Sequence, residues 1–476
     1  LDVRRNFALV LPTYLKAGLS YNVQQRRVSL VESRTYFYAG PDGIRGNADD
    51  TRGMAQFLDT EVIPIDDGDF IRYFRDPGGN VPFPDSIAAG RHQRTNPQLW
   101  ATDVGADTQR ILLASRKGTE KIAAAYVMGN ARWKNLSLLT GVRFDDTKRI
   151  GVGPLTYLSP EEIARRTAWG TVPVTPAEAV RRAEAQYGNR QTNRGGYRNL
   201  FPGVHLKYEP SPGLVTRASW STSVGRPSFG SIMPLETVND TNRTVTASNP
   251  KLKPQYANSY DLSVEYYFKS QGMISLGAFR KNIVDYIFTD TGGVVGPGLD
   301  NGFQGQYEGY RLTTQSNRGT ARIDGFEASF QKQLSFLPGW AKGFALNGNY
   351  TALKTAGDYG GTVPIATNQL ANFINHAVNA GLGYRGFGFD LKLQRVYSGR
   401  YLNTVSTSPG LINYYNPRTT WAWKSTYAFS KRLGFFLDVD NVFNTMETDI
   451  FQAYEDRPNI YAKFPIKIVA GLRGRF

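Results

Sequence analysis

Residues 466–476 read Ile-Lys-Ile-Val-Ala-Gly-Leu-Arg-Gly-Arg-Phe. One set of alternate positions is apolar or small (Ile466, Ile468, Ala470, Leu472, Gly474, Phe476), and the other is dominated by Lys467, Arg473 and Arg475. Successive side chains of an extended strand point to opposite faces, so this segment has one greasy face and one wet face. In a soluble sheet the greasy face lies on a core. In a transmembrane barrel it meets lipid, and the cations look into a watery lumen. Periodicity alone is compatible with both arrangements, and the rest of the chain bears on the choice.

Composition favours the membrane. The chain of 476 residues is only 41% hydrophobic, with mean hydropathy −0.39, yet it is 13% aromatic, with 27 Tyr and 27 Phe. No apolar run approaches the roughly 18 residues of a helical span. A barrel spreads its lipid-facing residues over every second position and gathers aromatics at the two interfaces, which reconciles these numbers. The absence of Cys removes disulfides, thiol catalysis and cysteine metal ligands. The net charge of +16 comes from dispersed Lys and Arg, many at alternate strand positions, so it builds no nucleic-acid surface. It points instead to anionic solutes or lipopolysaccharide phosphates. Leu1-Asp2-Val3-Arg4-Arg5 has neither the apolar core nor the cleavage site of a signal peptide, so the chain reads as a mature piece, or one whose beginning is missing.

Period-2 segments recur along the chain in pairs, with short turns on one side and long excursions on the other. Lys121 to Met128 pairs with Asn135 to Thr147, and Asn199 to Tyr208 with Leu214 to Val224. Tyr256 to Phe268 pairs with Met273 to Thr289, and Tyr307 to Asn317 is expected to form a hairpin with Ala321 to Phe336. Further strands bring the total to about 14 to 16, each with the roughly 9–11 residues a tilted membrane strand needs. Within Phe344 to Tyr350 the apolar set alternates with Ala345, Asn347 and Asn349, and Asp438 and Asp440 share a face opposite Leu437 and Val439.

The long excursions span about Glu32 to Lys117, Arg149 to Gly196, Gly230 to Lys253, Asp290 to Gln306 and Gly357 to Gln369; outward placement of long loops is the rule in outer-membrane barrels. One carries short helices: Ser159-Pro160-Glu161-Glu162 and Thr175-Pro176-Ala177-Glu178 both read as capping boxes with Pro at the first helical position. The second helix is expected to run to about Tyr187 and stop at a left-handed Gly188. In this loop Tyr157, Arg165 and Trp169 are the candidates for stacking on a sugar or clasping an anionic chelate, against a plain role as solvent-facing side chains. Asp42, Asn47, Asp49 and Asp50, set among glycines, are a candidate calcium loop without the EF-hand spacing; the alternative is a solvated acidic turn. His92, His205 and His376 are scattered without metal-ligand spacing, and Gly-x-Ser-x-Gly is absent, so no catalytic residue is assigned.

Several stretches, in order, resemble one family. Gly141-Val142-Arg143-Phe144-Asp145, Ser223-Val224-Gly225-Arg226-Pro227, Asn249-Pro250-Lys251-Leu252-Lys253-Pro254, Ser259 to Tyr267 with Glu265, Gly325-Phe326-Glu327 and Asp440-Asn441-Val442-Phe443-Asn444 are similar to the barrel of TonB-dependent receptors. The terminal Phe476 is similar to the last residue that the outer-membrane assembly machinery is thought to read. The resemblance covers roughly Glu120 to Phe476. Asn249, Pro250, Pro254, Glu265, Asn441, Asn444 and Phe476 look architectural: the prolines bracket an extended approach to a strand, and the asparagines satisfy turn backbone.

The resemblance implies an all-β, transmembrane antiparallel barrel of about 22 strands, of which residues 1–476 supply the C-terminal part. The plug domain and signal peptide are absent from this chain, and its open edges leave backbone groups unpaired, so this piece alone forms no closed gate. It also implies multi-pass placement in the Gram-negative outer membrane, and non-catalytic, TonB-coupled uptake of a scarce nutrient such as a siderophore, cobalamin or saccharide. The expected partners are TonB through the missing N-terminal part, outer-membrane lipid and lipopolysaccharide, the barrel assembly machinery and a small-molecule ligand, with no nucleic acid. No cofactor is expected beyond the calcium candidate. The alternatives are a passive porin-like channel and a secreted β-rich binding protein.

Overall fold

The computed structural model describes residues 1–8, 11–43, 53–59, 83–269, 271–361, 363–456, 459–462 and 464–474. Asn47, Asp49, Asp50 and Phe476 lie outside these described residues. The main sheet has seventeen strands; two belong to a loop, leaving fifteen in the wall. These are β1 (Asp2–Ala8), β2 (Pro12–Val28), β3 (Arg116–Trp133), β4 (Leu136–Pro154) and β5 (Arg190–Ser211). Next come β6 (Leu214–Gly225), β7 (Gln255–Phe268), β8 (Gly272–Val294), β9 (Arg311–Gln333) and β10 (Phe344–Asp358). The wall ends with β11 (His376–Gly386), β12 (Phe389–Ser398), β13 (Arg418–Ala428), β14 (Leu433–Asp440) and β15 (Lys467–Gly474). Each strand pairs antiparallel with the next, so the chain is a meander with every short connection at one end and every long loop at the other. Among the described residues no pairing joins β1 to β15, and the wall stays open there.

The register fixes two faces. Leu19, Ala125, Phe144 and Leu200 stand side by side across β2–β5, and all four are exposed. One residue on, Ala124 and Asp145 pair on the opposite face and are buried. The terminal strand obeys the same rule: Ile468 aligns with Val439 and Trp423, whereas Lys467 aligns with Asp440 and Val469 with Asp438 and Lys424. At the short-turn end the apolar face is edged by rings in contact, with Phe344 and Tyr384 centred 4.9 Å apart and Phe389 and Tyr427 4.5 Å apart. Such a girdle marks the level where lipid meets water.

Loop segments seal the other face near the long-loop end, which identifies it as the inward one. Tyr359 and Leu370 pack on Ala257, Ile283, Phe288, Ala321 and Ile323. Helix α5 (Phe229–Ile232) and the residues after it lie on the glycines of β3 and β4. A Cβ at Gly151 would stand 2.5 Å from the Ile232 carbonyl oxygen, and one at Gly153 2.1 Å from that of Pro234, so only glycine admits this close approach.

Tyr307 to Asn317 and Ala321 to Phe336 are not a hairpin but mainly one strand, β9. The Asn317-Arg318-Gly319 stretch that reads as a turn is a register irregularity against β8, between the Tyr286↔Gly319 and Phe288↔Ser316 pairs. Asn317 Nδ2 donates to the carbonyls of Lys253 and Asp285 at 2.9 Å each, so turn-forming side chains here stabilise a bulge.

The two expected helices form as α3 (Pro160–Trp169) and α4 (Pro176–Tyr187), capped by Ser159 and Thr175, whose hydroxyls accept from the Glu162 and Glu178 amides at 3.2 Å. Only that half of each capping box is observed, because the two carboxylates turn to arginines. Gly188 is right-handed (φ −73°), not left-handed; the left-handed stop belongs to Gly170 after α3 (φ +63°). The first excursion also holds two helices with no counterpart in the sequence reading, α1 (Ser86–Thr95) and α2 (Val104–Ala114), with Asp85 and Asp103 as N-caps. No described helix is long and apolar enough to cross a membrane.

Candidate functional site

The long loops are laced to one another above the inward face. Helix α2 meets α4 so closely that a Cβ on Gly105 would stand 2.9 Å from that of Ala179. The loop 155–189 is tied to loop 295–310 by Gln306, whose amide donates to the Leu158 carbonyl at 3.0 Å and accepts from its N–H. The segment Thr244–Ala247 pairs in parallel with Arg311–Thr314 at the start of β9, joining loop 226–254 to the same unit. Farther round, Ala366 and Asn372 donate backbone bonds to Ser406 and Leu402, and loops 399–417 and 441–466 share a four-stranded sheet around buried Leu402, Ile412 and Ile450.

Three polar clusters lie in this cap. On the helical hairpin, Arg181 donates to Glu162 Oε2 and Oε1 at 2.8 Å each and to Glu178, while Arg166 and Arg182 donate to Glu162 and Glu178. The Arg181 bonds hold both carboxyls down to about 2. Arg165 belongs to this lattice, 3.3 Å from Glu178, and Trp169 donates to the Val172 carbonyl with the Arg182 guanidinium 5.5 Å from its ring centre. Tyr157 is half-buried on the approach to the helices, its N–H bonded to the Gln186 carbonyl. The geometry therefore gives Arg165 and Trp169 internal partners.

Against the inward wall, Arg226 donates to Asp145 at 2.9 Å and stands 4.0 Å from Glu120, and Arg143 reaches the other Asp145 oxygen at 2.7 Å. Arg149, only 4% exposed, donates to the Leu252 carbonyl at 2.6 Å and lies over Tyr197. These links hold both ends of loop 226–254 to β4.

The third cluster escaped the sequence reading because its parts come from four separate segments. Rings of Phe303, Tyr307 and Tyr310 meet in series, edge-to-face at 5.8 Å and tilted at 5.6 Å, Tyr310 donates to Asp240, and the exposed Arg243 lies 5.3 Å over Tyr310. Beneath them Glu236 accepts from Gln191 at 3.3 Å. Burial pushes the Glu236 carboxyl up to about 7, and burial likewise raises Tyr307 and Tyr187. Residues Glu236–Asn239 pair antiparallel with Thr244–Ala247 as a loop ribbon, and a raised carboxyl pKa means that this ribbon is favoured while Glu236 is protonated. That contribution is complete below about pH 4.3 and is lost as pH rises through about 7, a swing of up to about 3 kcal/mol. Hydrogen exchange of residues 236–247 is therefore expected to lose protection between about pH 4.3 and pH 7, and Glu236→Gln to remove that dependence. Equal pH dependence in the two proteins would refute the assignment.

The architectural residues of the sequence reading occupy loop bases. Asn249 Nδ2 donates to the Gln315 carbonyl, Pro254 is buried just before β7, and Pro250 is half-buried. Asn441 and Asn444 take left-handed backbone (φ +53° and +51°), and Asn441 bonds to Thr445 and Phe464 where β14 leaves the wall. Glu265 sits lower, on the inward face, accepting from Arg217 and Tyr267. Among the described residues no group of three or more His, Asp or Glu could hold a metal ion.

The wall and its loops resemble solved receptors. The ferric-catecholate import receptor Fiu of E. coli superposes with a TM-score of 0.55 at 14% identity, over 100% of this chain and 54% of that one. The siderophore receptor PirA of Acinetobacter baumannii gives 0.54 and 14%, over 100% and 54%. The ferric enterobactin receptor PfeA of Pseudomonas aeruginosa, a Q482A mutant bound to enterobactin, gives 0.53 and 13%, over 95% and 49%. At these identities the likeness is one of fold, and the chain spans about half the length of these structures. No curated protein matches the sequence. The family model described as TonB dependent receptor-like, beta-barrel, matches residues 1–442. That family consists of outer-membrane transporters, not enzymes, which sets aside the secreted binding protein. An antiparallel wall with one wet face, a cap of long loops and a family match over nearly its whole length together place this chain in the TonB-dependent receptor β-barrel family.

Proposed function

We propose that residues 1–476 are the barrel portion of a TonB-coupled outer-membrane receptor that captures a ferric siderophore at its long-loop end. The carrying observation is the cap: loops from seven connections fold over the inward face and interlock, so solute reaching the lumen from that side meets a structured surface. Solute is captured first by exposed groups of this cap. Arg243 with the Tyr310 ring offers a cation beside an aromatic face, a combination suited to the negative charge and aromatic rings of a ferric catecholate. The solved structures that resemble the chain include siderophore and ferric-catecholate receptors, which favours this cargo over cobalamin or saccharide.

The test uses the natural full-length protein in cells lacking their own iron receptors, with radioactive iron offered as catecholate, hydroxamate and citrate chelates. Uptake of at least one chelate, abolished when TonB is deleted, is the expected result. Uptake that persists without TonB would make the protein a passive channel, and uptake of none would overturn the siderophore assignment.

A further inference from the structure

At the short-turn end the inward wall holds a cavity of about 540 Å³, between the turn 334–343 and the hairpin of β11 and β12. Lys342, Arg385 and Asp390 line it with the amide of Gln333 and the hydroxyl of Ser335, and Gly383 leaves its floor bare. Register carries the charge beyond the cavity. Lys392 is the cross-strand neighbour of Gly383, and Lys424 on β13 is the neighbour of Lys392, all on the inward face. Lys342, Arg385, Lys392 and Lys424 are all exposed. Arg385 donates to Asp390 through Nε at 3.0 Å, and Asp438 on β14 stands across from Lys424. Among the described residues Lys342, Lys392 and Lys424 belong to no ion pair. Cations therefore outnumber carboxylates here, and the directly opposed Lys392 and Lys424 repel unless an anion comes between them. Farther up, the same sector is neutral: Asn347, Asn349, Asn379 and Gln394 present amides on the inward face, with Gly381 level between Asn347 and Gln394. Amides can hydrogen-bond a passing solute without holding it by charge.

The short turns of an outer-membrane barrel face the periplasm, so this cavity stands where a solute leaves. We propose that it is an exit site for a negatively charged metal chelate, reached along the amide-lined sector of β10–β12 and occupied just before release. A neutral cargo would leave the excess of cations unexplained, and their exposure to solvent screens the attraction, so the hold is weak enough for departure. The inference rests on the uptake reading above, and the experiment separates the two. The chain has no Cys, so Ser335→Cys places a fluorophore in the cavity and, in a second protein, Asn242→Cys places one beside Arg243 in the cap. Both are made in the full-length receptor and studied in detergent, which leaves the two ends of the barrel open to solution, with heat-modifiable migration as the control for folding. The probe is ferric tris-catecholate, an anion whose iron quenches a nearby dye; neutral ferric tris-hydroxamate is the comparison. Quenching of the cavity label is expected to saturate with the catecholate complex at a concentration at least about tenfold lower than with the hydroxamate. Lys342→Gln/Lys392→Gln/Lys424→Gln is expected to abolish that preference at the cavity label and to leave quenching of the cap label unchanged. No saturable quenching in the cavity, an equal response to the neutral complex, or a triple variant that binds like the wild type would each overturn the proposal. A quenched cavity label with an unquenched cap label would sink the capture reading and leave the exit site standing. Should the triple variant fail to fold, Lys342→Gln, in a turn outside the wall, is expected to weaken cavity quenching about threefold, and an unaltered response would refute the site.

Discussion

In a Gly151→Val/Gly153→Val variant, trypsin cleavage within residues 226–254 is expected to accelerate by roughly a hundredfold while the wall remains folded. Both glycines face inward on β4, and what a side chain would meet there is backbone: the Ile232 carbonyl at 2.5 Å and the Pro234 carbonyl at 2.1 Å. Backbone cannot rotate aside as the end of a long side chain does. The segment must lift, and with it goes the burial of Ile232 and Met233, which are 4% and 2% exposed. Overpacking of this kind costs about 1–3 kcal/mol per site. Valine is itself a good strand former, so the hydrogen-bonded ladder of β3, β4 and β5 is not the casualty. Limited proteolysis of the full-length protein, with heat-modifiable migration as the control for the barrel, reads the result. Unchanged cleavage would show that the loop is held elsewhere.

Arg226→Ala is expected to destabilise the same inward wall. It leaves Glu120 and Asp145, 7% and 4% exposed, with less positive charge in a buried site. Breaking a buried pair by removing one partner costs about 3–5 kcal/mol, but Arg226 is partly exposed and Arg143 still reaches Asp145, so a loss of about 2 kcal/mol is expected. Arg226→Lys should recover part of it, because the charge remains and the second donor direction does not. The midpoint of urea unfolding in detergent checks this, and an Arg226→Ala midpoint equal to that of the wild type would refute it.

What the sequence disclosed, and what it hid, follows from the range of the interactions involved. The alternation in residues 466–476 is local, and the structure places Ile468 beside Val439 and Lys467 beside Asp440 as that alternation requires. The N-caps of α3 and α4 are equally local, since a hydroxyl reaches an amide three residues on. Glu162 and Glu178 are harder: nothing in a capping signature reveals that Arg181 will claim both carboxylates, one across the helical hairpin and one on its own helix. Asn317-Arg318-Gly319 has the composition of a turn, and only the pairing with β8 makes it a bulge. The Glu236 cluster depends on register between distant segments, so its parts are invisible until the strands are aligned. Tyr157, Arg165 and Trp169 are candidates by residue type alone, and type does not reveal whether an arginine already has an internal partner.

The lacing of the cap has an evolutionary consequence. Its joints are mostly main-chain groups: Gln306 binds the Leu158 backbone, residues 244–247 pair by backbone with 311–314, and Ala366 and Asn372 donate to carbonyls. A joint of that kind is indifferent to most side chains beside it. Exposed positions such as Arg243 are therefore free to drift without loosening the frame, and a lineage under pressure from a changing nutrient, or from agents that exploit the cell surface, can alter what its loops display while inheriting the same scaffold.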